Sequence, residues 1–388
     1  MSLYWNEKTR LIIPYVPGEQ PRDRKFIKLN TNENPYPPSP LVIEAIQRAA
    51  GDSLRLYPDP ACTEFREAVA GRFGVNAGQV FAGNGSDEIL AFAFAAFFGK
   101  NKASGKTPIT SGQDGKPALS ETALLFPDIT YSFYPVYANL WEIPYKTIPL
   151  NEDFSMDIST YINAISNGES DGVIFPNPNA PTGIAISLQE IERTAGAAEK
   201  QKQVLVVDEA YIAFSGTEGI TTAIPLIKKF PNLLIIRTLS KEVSLAGLRA
   251  GFAVGSEELT EGLCRIRDCF NSYTMDRLAI AGAVAAIKDV SYYDEINRRV
   301  IATRRGVSEG LKTLGFTVLP SEANFLFASP PAACGKSALD FFNALRGHGF
   351  LVRHFNKPKI SNYLRISMGT GEDMEAFLET CRIILNRE

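Results

Sequence analysis

Short apolar runs recur through the central part of the chain, and each ends at polar or turn-forming residues. They are Thr122–Phe126, Gly172–Phe175, Val204–Val207, Leu233–Ile236 and Gly251–Val254. Continuous apolar runs of this length are typical of strands that are buried on both faces. Helical patterns lie between several of the runs. The alternation predicts an α/β fold whose large domain has a mostly parallel central sheet sandwiched by helices, and such sheets bind ligands at the carboxyl ends of their strands.

The two ends of the chain have different patterns. Residues 1–40 are rich in proline, which predicts an extended arm rather than a helix. After residue 265, a long helical stretch from about 276 to 314 is followed by short strands mixed with helices, which predicts a smaller α+β domain. We therefore predict an arm at 1–40 that joins the small domain, a large domain at 41–265 and a small domain at 266–388.

Composition and charge argue against several classes of protein. With 40 basic and 43 acidic side chains, the formal net charge is −3, and we expect neither a nucleic-acid groove nor a membrane surface. Five scattered cysteines without a CxxC pair, and two histidines, argue against a metal cluster or a disulfide framework. Reduced thiols and the absence of a signal-peptide pattern predict a cytoplasmic location. Residues 100–119, which are polar and glycine-rich, predict an exposed loop.

A lysine stands just beyond one of the predicted buried strands. Lys241 follows Arg237-Thr238-Leu239-Ser240, directly after the run Leu233–Ile236. A lysine in a dry pocket has a lowered pKa and becomes a nucleophile that can form a Schiff base. Most lysines are solvated surface charges, so Lys241 indicates chemistry only together with its companions.

Asp208 and Tyr211 stand at the end of the preceding strand. The run Val204–Val207 leads directly into Asp208, and Tyr211 follows three residues later. A carboxylate at a strand end could pair with the protonated ring nitrogen of pyridoxal phosphate and keep the ring an electron sink. Tyr211 could bond the phenolic oxygen of the same ring. Taken alone, Asp208 could equally cap a helix or form a structural ion pair, and Tyr211 could pack in the core.

A glycine-rich turn predicts a phosphate site. The segment Gly83-Asn84-Gly85-Ser86-Asp87-Glu88 enters a helical pattern, where free backbone N–H groups and the helix dipole favour an anion. Arg249, eight residues beyond Lys241, offers a bidentate cation for the same phosphate. Thr238 and Ser240 can add hydroxyl donors.

Seven short motifs span most of the chain, from residue 29 to residue 367. The motifs are Leu29-Asn30-Thr31-Asn32-Glu33-Asn34-Pro35-Tyr36, Gly83-Asn84-Gly85-Ser86-Asp87-Glu88, Pro178-Asn179-Ala180-Pro181-Thr182-Gly183, Val207-Asp208-Glu209-Ala210-Tyr211, Thr238-Leu239-Ser240-Lys241, Ala246-Gly247-Leu248-Arg249 and Leu364-Arg365-Ile366-Ser367. In type and order they resemble the motifs of the fold-type I aminotransferases, and within that group those of the histidinol-phosphate aminotransferases.

The resemblance implies a fold-type I pyridoxal-phosphate transferase, in which the large domain binds the cofactor. Lys241 would hold the cofactor and then act as general acid and base, Asp208 would pair with the pyridinium, and Tyr211 would bond the phenolic oxygen. Tyr131 would stack on the ring. The residues that would surround the phosphate are Gly85, Ser86, Asp87, Thr238, Ser240 and Arg249.

Two further cofactor contacts are implied by position. Where the family often has an asparagine that bonds the phenolic oxygen, this chain has Ala180. Asn179 is the expected replacement, with Asn177 the second candidate. Tyr57 resembles the tyrosine that reaches the phosphate from a neighbouring subunit, which would make the enzyme a homodimer.

The resemblance also implies substrate contacts. Arg365 matches the arginine that binds substrate anions throughout the group, and Arg353 matches a second arginine typical of the histidinol-phosphate branch. Two guanidinium groups suit a phosphate dianion better than a single carboxylate. Tyr15, Asn34 and Asn324 match the same branch.

The expected reaction is amino transfer between histidinol phosphate and 2-oxoglutarate, a step of histidine biosynthesis. One alternative is an aromatic or broad-range aminotransferase, in which Arg365 binds a carboxylate. Another is decarboxylation of a phosphorylated amino acid such as threonine phosphate, since one fold can support both reactions. A regulator with an aminotransferase-like domain would need a DNA-binding module, for which the sequence before about residue 29 is too short.

Overall fold

The computed structural model describes residues 3–15, 18–21, 24–99 and 122–386. The predicted loop at 100–119 lies outside these residues. The α-helices are α1 (Glu7–Leu11), α2 (Pro40–Ala49), α3 (Thr63–Phe73), α4 (Gly85–Phe97), α5 (Phe133–Leu140), α6 (Ile158–Ser166), α7 (Leu188–Lys200), α8 (Glu257–Phe270), α9 (Arg277–Lys288), α10 (Val290–Thr313), α11 (Ala338–Gly347) and α12 (Gly371–Leu385). The strands are β1 (Ile27–Lys28), β2 (Val80–Gly83), β3 (Ala123–Pro127), β4 (Tyr145–Ile148), β5 (Ser170–Pro176), β6 (Leu205–Asp208), β7 (Leu233–Thr238), β8 (Gly251–Val254), β9 (Thr317–Val318), β10 (Phe325–Ser329), β11 (Phe350–Leu351), β12 (Arg353–His354) and β13 (Leu364–Ser367).

The central sheet has seven strands in the order β2-β8-β7-β6-β5-β3-β4. Strands β4, β3, β5, β6 and β7 are parallel, whereas β8 is antiparallel to both β7 and β2. The five apolar runs of the sequence are the strands β3, β5, β6, β7 and β8, so the predicted mostly parallel sheet is confirmed. The two edge strands were not predicted, because β4 is exposed over most of its length and β2 is short and ends in a glycine.

Helices cover both faces of this sheet, as predicted. Alternate residues of a strand point to opposite faces. Leu233 and Ile235 of β7 lie in the core shared with α3, α6, α7 and α9. Leu234 and Ile236 lie in the core shared with α4, α5 and α8. Since both faces are apolar and covered, the ends of the strands are the places where polar side chains can meet a ligand.

A second, smaller sheet has the order β12-β13-β10-β9 and is antiparallel throughout. It packs with α10, α11 and α12 around a core of its own. Strand β1 pairs in parallel with β11, which joins the N-terminal part of the chain to this side of the molecule. The helical stretch predicted from about 276 to 314 is two helices, because Asp289 leaves helical geometry between α9 and α10.

Helix α9 packs against α2 and α3, beside the central sheet. The predicted division at residues 40 and 265 stays a prediction. None of the helices in the described ranges has both the length and the apolar character needed to cross a bilayer.

A buried cluster of charges lies behind the carboxyl ends of β6 and β7. The Arg237 guanidinium contacts the carboxylate of Glu242 and lies 3.9 Å from that of Glu209. All three side chains are at most 5% exposed. Glu209 follows Asp208 and Glu242 follows Lys241, so the cluster ties together the backbone on which the candidate chemistry stands. A buried charge that loses its partner is strongly destabilising.

Replacing Arg237 by methionine should therefore lower the free energy of unfolding by about 3–5 kcal/mol, because two carboxylates would stay buried without a cation. Urea denaturation followed by circular dichroism measures the change. The control R265M removes an exposed ion pair with Glu261 and should have a far smaller effect. Equal losses in the two variants would contradict the role of the cluster.

Candidate active site

A cavity of about 410 Å³ lies at the carboxyl ends of β5, β6 and β7. Its volume is in the range of small-molecule sites. Twelve of the predicted site residues line it: Tyr15, Ser86, Asp87, Tyr131, Asp208, Tyr211, Thr238, Ser240, Lys241, Arg249, Arg353 and Arg365. Residues that are distant in sequence therefore meet at the place where a mostly parallel sheet binds ligands.

Lys241 lies in the turn after β7, and its amine is inside the cavity wall. Its Nζ donates a hydrogen bond of 2.9 Å to the carbonyl oxygen of Thr31. Burial, together with the positive charge of Arg365, lowers the pKa of Lys241 to about 8. The amine therefore loses its proton close to neutral pH, which a nucleophilic lysine requires.

Asp208 is the last residue of β6, and two donors orient its carboxylate. Tyr134 OH donates to Oδ2 over 3.2 Å, and the backbone N–H of Ala210 donates to Oδ1 over 3.2 Å. Burial raises the pKa of Asp208 to about 7. A cation placed beside this carboxylate would stabilise its ionised form, as a protonated ring nitrogen would. Tyr134 was not predicted as a site residue, and its only signal in the sequence is its spacing of three residues from Tyr131.

The turn into α4 forms a close backbone cradle. Gly85 has a φ of +78°, and a Cβ at this position would lie 2.7 Å from Arg249 Nη2. A Cβ on Gly251, in the adjacent strand β8, would lie 2.8 Å from the backbone nitrogen of Ser86. Both positions require glycine, so the backbone N–H groups at the start of α4 and the Arg249 guanidinium stay close together. This arrangement fits a phosphate group.

Hydroxyl groups and a carboxylate complete the cradle. Thr238 Oγ1 donates to Ser240 Oγ over 2.9 Å, and Arg249 Nη1 lies 3.5 Å from the same Ser240 oxygen. Arg249 Nη2 lies 3.4 Å from Asp87 Oδ2, and Tyr131 OH donates to Asp87 Oδ1 over 2.7 Å. The Asp87 side chain therefore orients Arg249 and Tyr131, while its backbone N–H belongs to the helix start.

Two arginines form the opposite wall. Arg353 of β12 and Arg365 of β13 are directly paired across the two strands. Like charges in such a pair repel each other. In the part of the chain that the structure describes, no carboxylate lies within 4.0 Å of either guanidinium, and Arg365 Nε has no hydrogen-bond partner. Burial lowers the pKa of Arg365. Two adjacent guanidinium groups without a counter-ion constitute a site for an anion.

Aromatic rings border this wall. Tyr15 stacks on Phe133, with 4.2 Å between the ring centroids, so the N-terminal segment is held over the cavity. The Arg365 guanidinium lies 5.5 Å from the ring centroid of Phe325 and 5.7 Å from that of Phe355. These rings limit the positions that the guanidinium can take, and Tyr15 lines the same cavity.

The structure does not bring Asn179 to the cavity. Its Nδ2 donates to Ile129 O (3.0 Å), which lies between β3 and α5, and to Thr182 Oγ1 (3.1 Å) of its own loop, and these two bonds use both amide protons. The second candidate, Asn177, exchanges hydrogen bonds with the backbone of Ile186. Ala180 is the residue of this loop that lines the cavity. The placement therefore gives no support to a cofactor bond from either asparagine.

Four other predicted residues lie outside the cavity lining, namely Gly85 at the start of α4, Asn34, Asn324 and Tyr57. Asn34 Nδ2 donates to the carbonyl oxygen of Lys241 over 3.2 Å, so it supports the lysine from behind. Asn324 is fully buried and donates to Asn32 O over 2.9 Å. Tyr57 is 78% exposed and stacks on Tyr273, with 4.5 Å between the ring centroids. Their predicted roles stay predictions, and Tyr57 has the exposure that a contribution to another subunit requires.

The segment 30–32 connects the cofactor side of the cavity to the arginine wall. The carbonyl oxygen of Asn30 accepts a hydrogen bond from Arg365 Nη2, and that of Thr31 accepts the hydrogen bond from Lys241 Nζ. The side chain of Asn32 donates to Tyr211 OH over 2.9 Å. The segment belongs to one of the seven motifs, but no role was predicted for it. A backbone oxygen can accept a hydrogen bond in any residue, so the sequence does not reveal such a contact.

Solved structures share the fold. A histidinol-phosphate aminotransferase from Sinorhizobium meliloti in complex with pyridoxal-5'-phosphate superposes with a TM-score of 0.81 at 23% identity, with 99% of both chains covered. The histidinol-phosphate aminotransferase from Clostridium acetobutylicum superposes with a TM-score of 0.80 at 21% identity, covering 92% of this chain and 99% of that one. These similarities confirm the predicted fold class.

Sequence relatives cover the whole length. A histidinol-phosphate aminotransferase of Clostridium acetobutylicum is 49% identical over 379 residues, 98% of both chains. One from Clostridium botulinum is 47% identical over 387 residues, 100% of both chains. The family model described as aminotransferase class I and II matches residues 24–380. The chain therefore belongs to the class I and II aminotransferase family.

Proposed function

We propose that this chain transfers the amino group between histidinol phosphate and 2-oxoglutarate, with pyridoxal phosphate as its cofactor. The observation that carries the proposal is the pair Arg353 and Arg365, which has no carboxylate counter-ion among the described residues and faces Lys241 and Asp208 across one cavity. A substrate with a phosphate group would supply the missing counter-ion. Full-length relatives at 46–49% identity have the name of this enzyme, which supports the same reaction here.

Each residue of the site has a role that follows from its position in the cavity. Bound pyridoxal phosphate supplies an electron sink for the charge that develops when the substrate loses its α-proton. Lys241 Nζ holds the cofactor, and then takes and returns that proton. Asp208 keeps the ring nitrogen protonated, and the start of α4 with Arg249 holds the phosphate. Arg353 and Arg365 bind the substrate anion, which fixes the α-carbon in front of Lys241.

We also propose that the protein is located in the cytoplasm. All five cysteines are free thiols, which supports a reducing compartment such as the cytoplasm. Histidine biosynthesis, the process to which the proposed reaction belongs, would take place there on small soluble substrates. Fractionation of cells that express a tagged chain measures the location, and recovery from a membrane or an oxidising compartment would contradict it.

The proposed reaction predicts a substrate preference that depends on Arg353. With 2-oxoglutarate as acceptor, histidinol phosphate should have a much higher kcat/KM than phenylalanine or tyrosine. Replacing Arg353 by methionine should lower kcat/KM for histidinol phosphate by about 10–100-fold, the effect of losing a hydrogen bond between charged groups. The same variant should affect phenylalanine much less. Steady-state kinetics on the donor panel measures both effects.

Two controls separate the outcomes of that experiment. R265M, on the exposed side of α8, should leave the donor preference unchanged, and K241A should abolish turnover with every donor. A wild-type enzyme for which histidinol phosphate is no better than phenylalanine would contradict the narrow assignment. Release of carbon dioxide without consumption of the oxo acid would identify a decarboxylase instead.

The pKa values of Lys241 and Asp208 predict how pH governs cofactor loading. The reactive forms are the neutral amine and the ionised carboxylate, and raising the pH increases both. With a pKa of about 7 for Asp208 and about 8 for Lys241, the rate of cofactor incorporation should rise between these values and level off above them. Stopped-flow absorbance on the apoprotein measures this rate. A rate that is constant or falls over this interval would contradict the assignment.

A homodimer with Tyr57 shared between subunits is the proposed assembly. Tyr57 stacks on Tyr273, both rings are exposed, and Leu54, Leu56 and Phe270, which are close to them in sequence, are exposed as well. Exposed patches of large apolar side chains are typical of protein interfaces. Burial of these side chains against a second copy would bring the Tyr57 hydroxyl to a neighbouring site, as the resemblance implies.

Mixed dimers of Y57F and K241A test this sharing. Y57F alone should weaken cofactor binding by roughly tenfold, through the loss of one hydrogen bond to a charged group. In a mixed dimer, the subunit with Lys241 receives Tyr57 from its partner, so half of the sites should recover wild-type cofactor affinity. Absorbance titration of mixed dimers, co-purified through a different tag on each subunit, measures the cofactor affinity of the two kinds of site. Absence of recovery, or a monomer in sedimentation, would contradict the proposal.

A further inference from the structure

Asn32 is the member of the segment 30–32 that contacts the site through its side chain. Its Nδ2 donates to Tyr211 OH over 2.9 Å, whereas the other two residues use backbone oxygens. Both Asn32 and its neighbour Asn324, which donates to the Asn32 carbonyl oxygen, are buried. Water therefore does not compete for these hydrogen bonds, and the direction in which each proton points is set by the protein.

Ser367 determines the orientation of the Asn32 amide. The backbone N–H of Asn32 donates to Ser367 Oγ over 2.9 Å, and Ser367 donates its own proton to Asn32 Oδ1 over 2.7 Å. The amide oxygen is thus an acceptor on the Ser367 side, and the NH₂ group faces Tyr211. Ser367 lies on β13, two residues from Arg365, so the strand that bears the substrate arginine also fixes this amide.

An amide NH₂ group can only donate, so the Tyr211 oxygen accepts this hydrogen bond and its own proton points elsewhere. The Tyr211 ring packs edge-on against Phe325, with 5.1 Å between the centroids, and its side chain lines the cavity. We propose that Asn32, oriented by Ser367, is a positioning residue that makes Tyr211 donate its proton to the phenolic oxygen of bound pyridoxal phosphate. This inference rests on the proposed function, which places that cofactor in the cavity.

The backbone explains why this position suits an isosteric test. Asn32 has a φ of +56°, the left-handed region, in which asparagine and aspartate are the best tolerated side chains after glycine. Aspartate has the same shape as asparagine but accepts on both oxygens. In N32D, the Tyr211 proton would therefore turn toward residue 32 and away from the cofactor.

The measurement is the pH midpoint of the absorbance change of the bound cofactor. A donated hydrogen bond stabilises the ionised phenolic oxygen, so its loss raises this midpoint. Y211F should raise the midpoint by about one to two pH units, the equivalent of a hydrogen bond to a charged group. N32D should raise it by a similar amount, and S367A, which frees the amide to turn, by less. The midpoint of the double variant with both Y211F and N32D should be close to that of Y211F alone.

A matched control places the same substitution far from the cavity. Asn232 directly precedes β7, at the amino-terminal end of the strand and so opposite the cavity. It donates to the carbonyl oxygens of Ala195 and Gln203. N232D should leave the midpoint unchanged.

The outcomes distinguish the positioning role from the proposed function. If Y211F raises the midpoint but N32D and S367A do not, the role of Asn32 is wrong and the cofactor site stands. If N32D raises it equally with and without Y211F, the effect is that of an added charge, and the inference fails. If the wild-type protein gives no cofactor absorbance at all, the proposed function itself is overturned.

Discussion

The burial of two ionisable groups at the ends of neighbouring strands is the constraint on which the site depends. Strands β6 and β7 are parallel and fully buried, and their register places Asp208 level with Ile236. The turn that follows β7 then brings Lys241 to the same carboxyl ends of the strands. Burial raises the pKa of Asp208 to about 7 and lowers that of Lys241 to about 8. The packing that stabilises the sheet thus also shifts the pKa values of both groups toward neutral pH.

The same constraint explains the supporting contacts. Charged groups that are taken out of water need partners. The amine of Lys241 has a carbonyl oxygen from the segment 30–32, and the carboxylate of Asp208 has the hydroxyl of Tyr134. Behind them, the buried Arg237 cluster holds the backbone of both strand ends. Arg365 has the carbonyl oxygen of Asn30, but among the described residues neither Arg353 nor Arg365 has a carboxylate within 4.0 Å, which is a reason to expect a bound anion.

The comparison between predicted and observed site residues shows which kind of information a sequence contains. Lys241 and Asp208 were predicted because charged side chains are unusual directly after buried strands, whereas Arg353 and Arg365 were predicted from the family resemblance. Asn179 was expected to replace a missing donor because it is adjacent to Ala180. In the structure its amide protons bond to Ile129 O and Thr182 Oγ1, and its side chain does not line the cavity. Adjacency in sequence does not determine the direction of a side chain in an irregular loop.

The sequence by itself determined the fold class and predicted the strand ends at which the candidate site lies, because apolar runs that suit buried strands leave a local signal and polar residues follow directly after them. Only the tertiary structure decided which atoms meet. The direct pairing of Arg353 with Arg365, the donation from Tyr134 to Asp208, and the bridge from Ser367 through Asn32 to Tyr211 join residues that are distant in sequence. Such contacts depend on strand register and side-chain direction, which arise only when the whole chain packs.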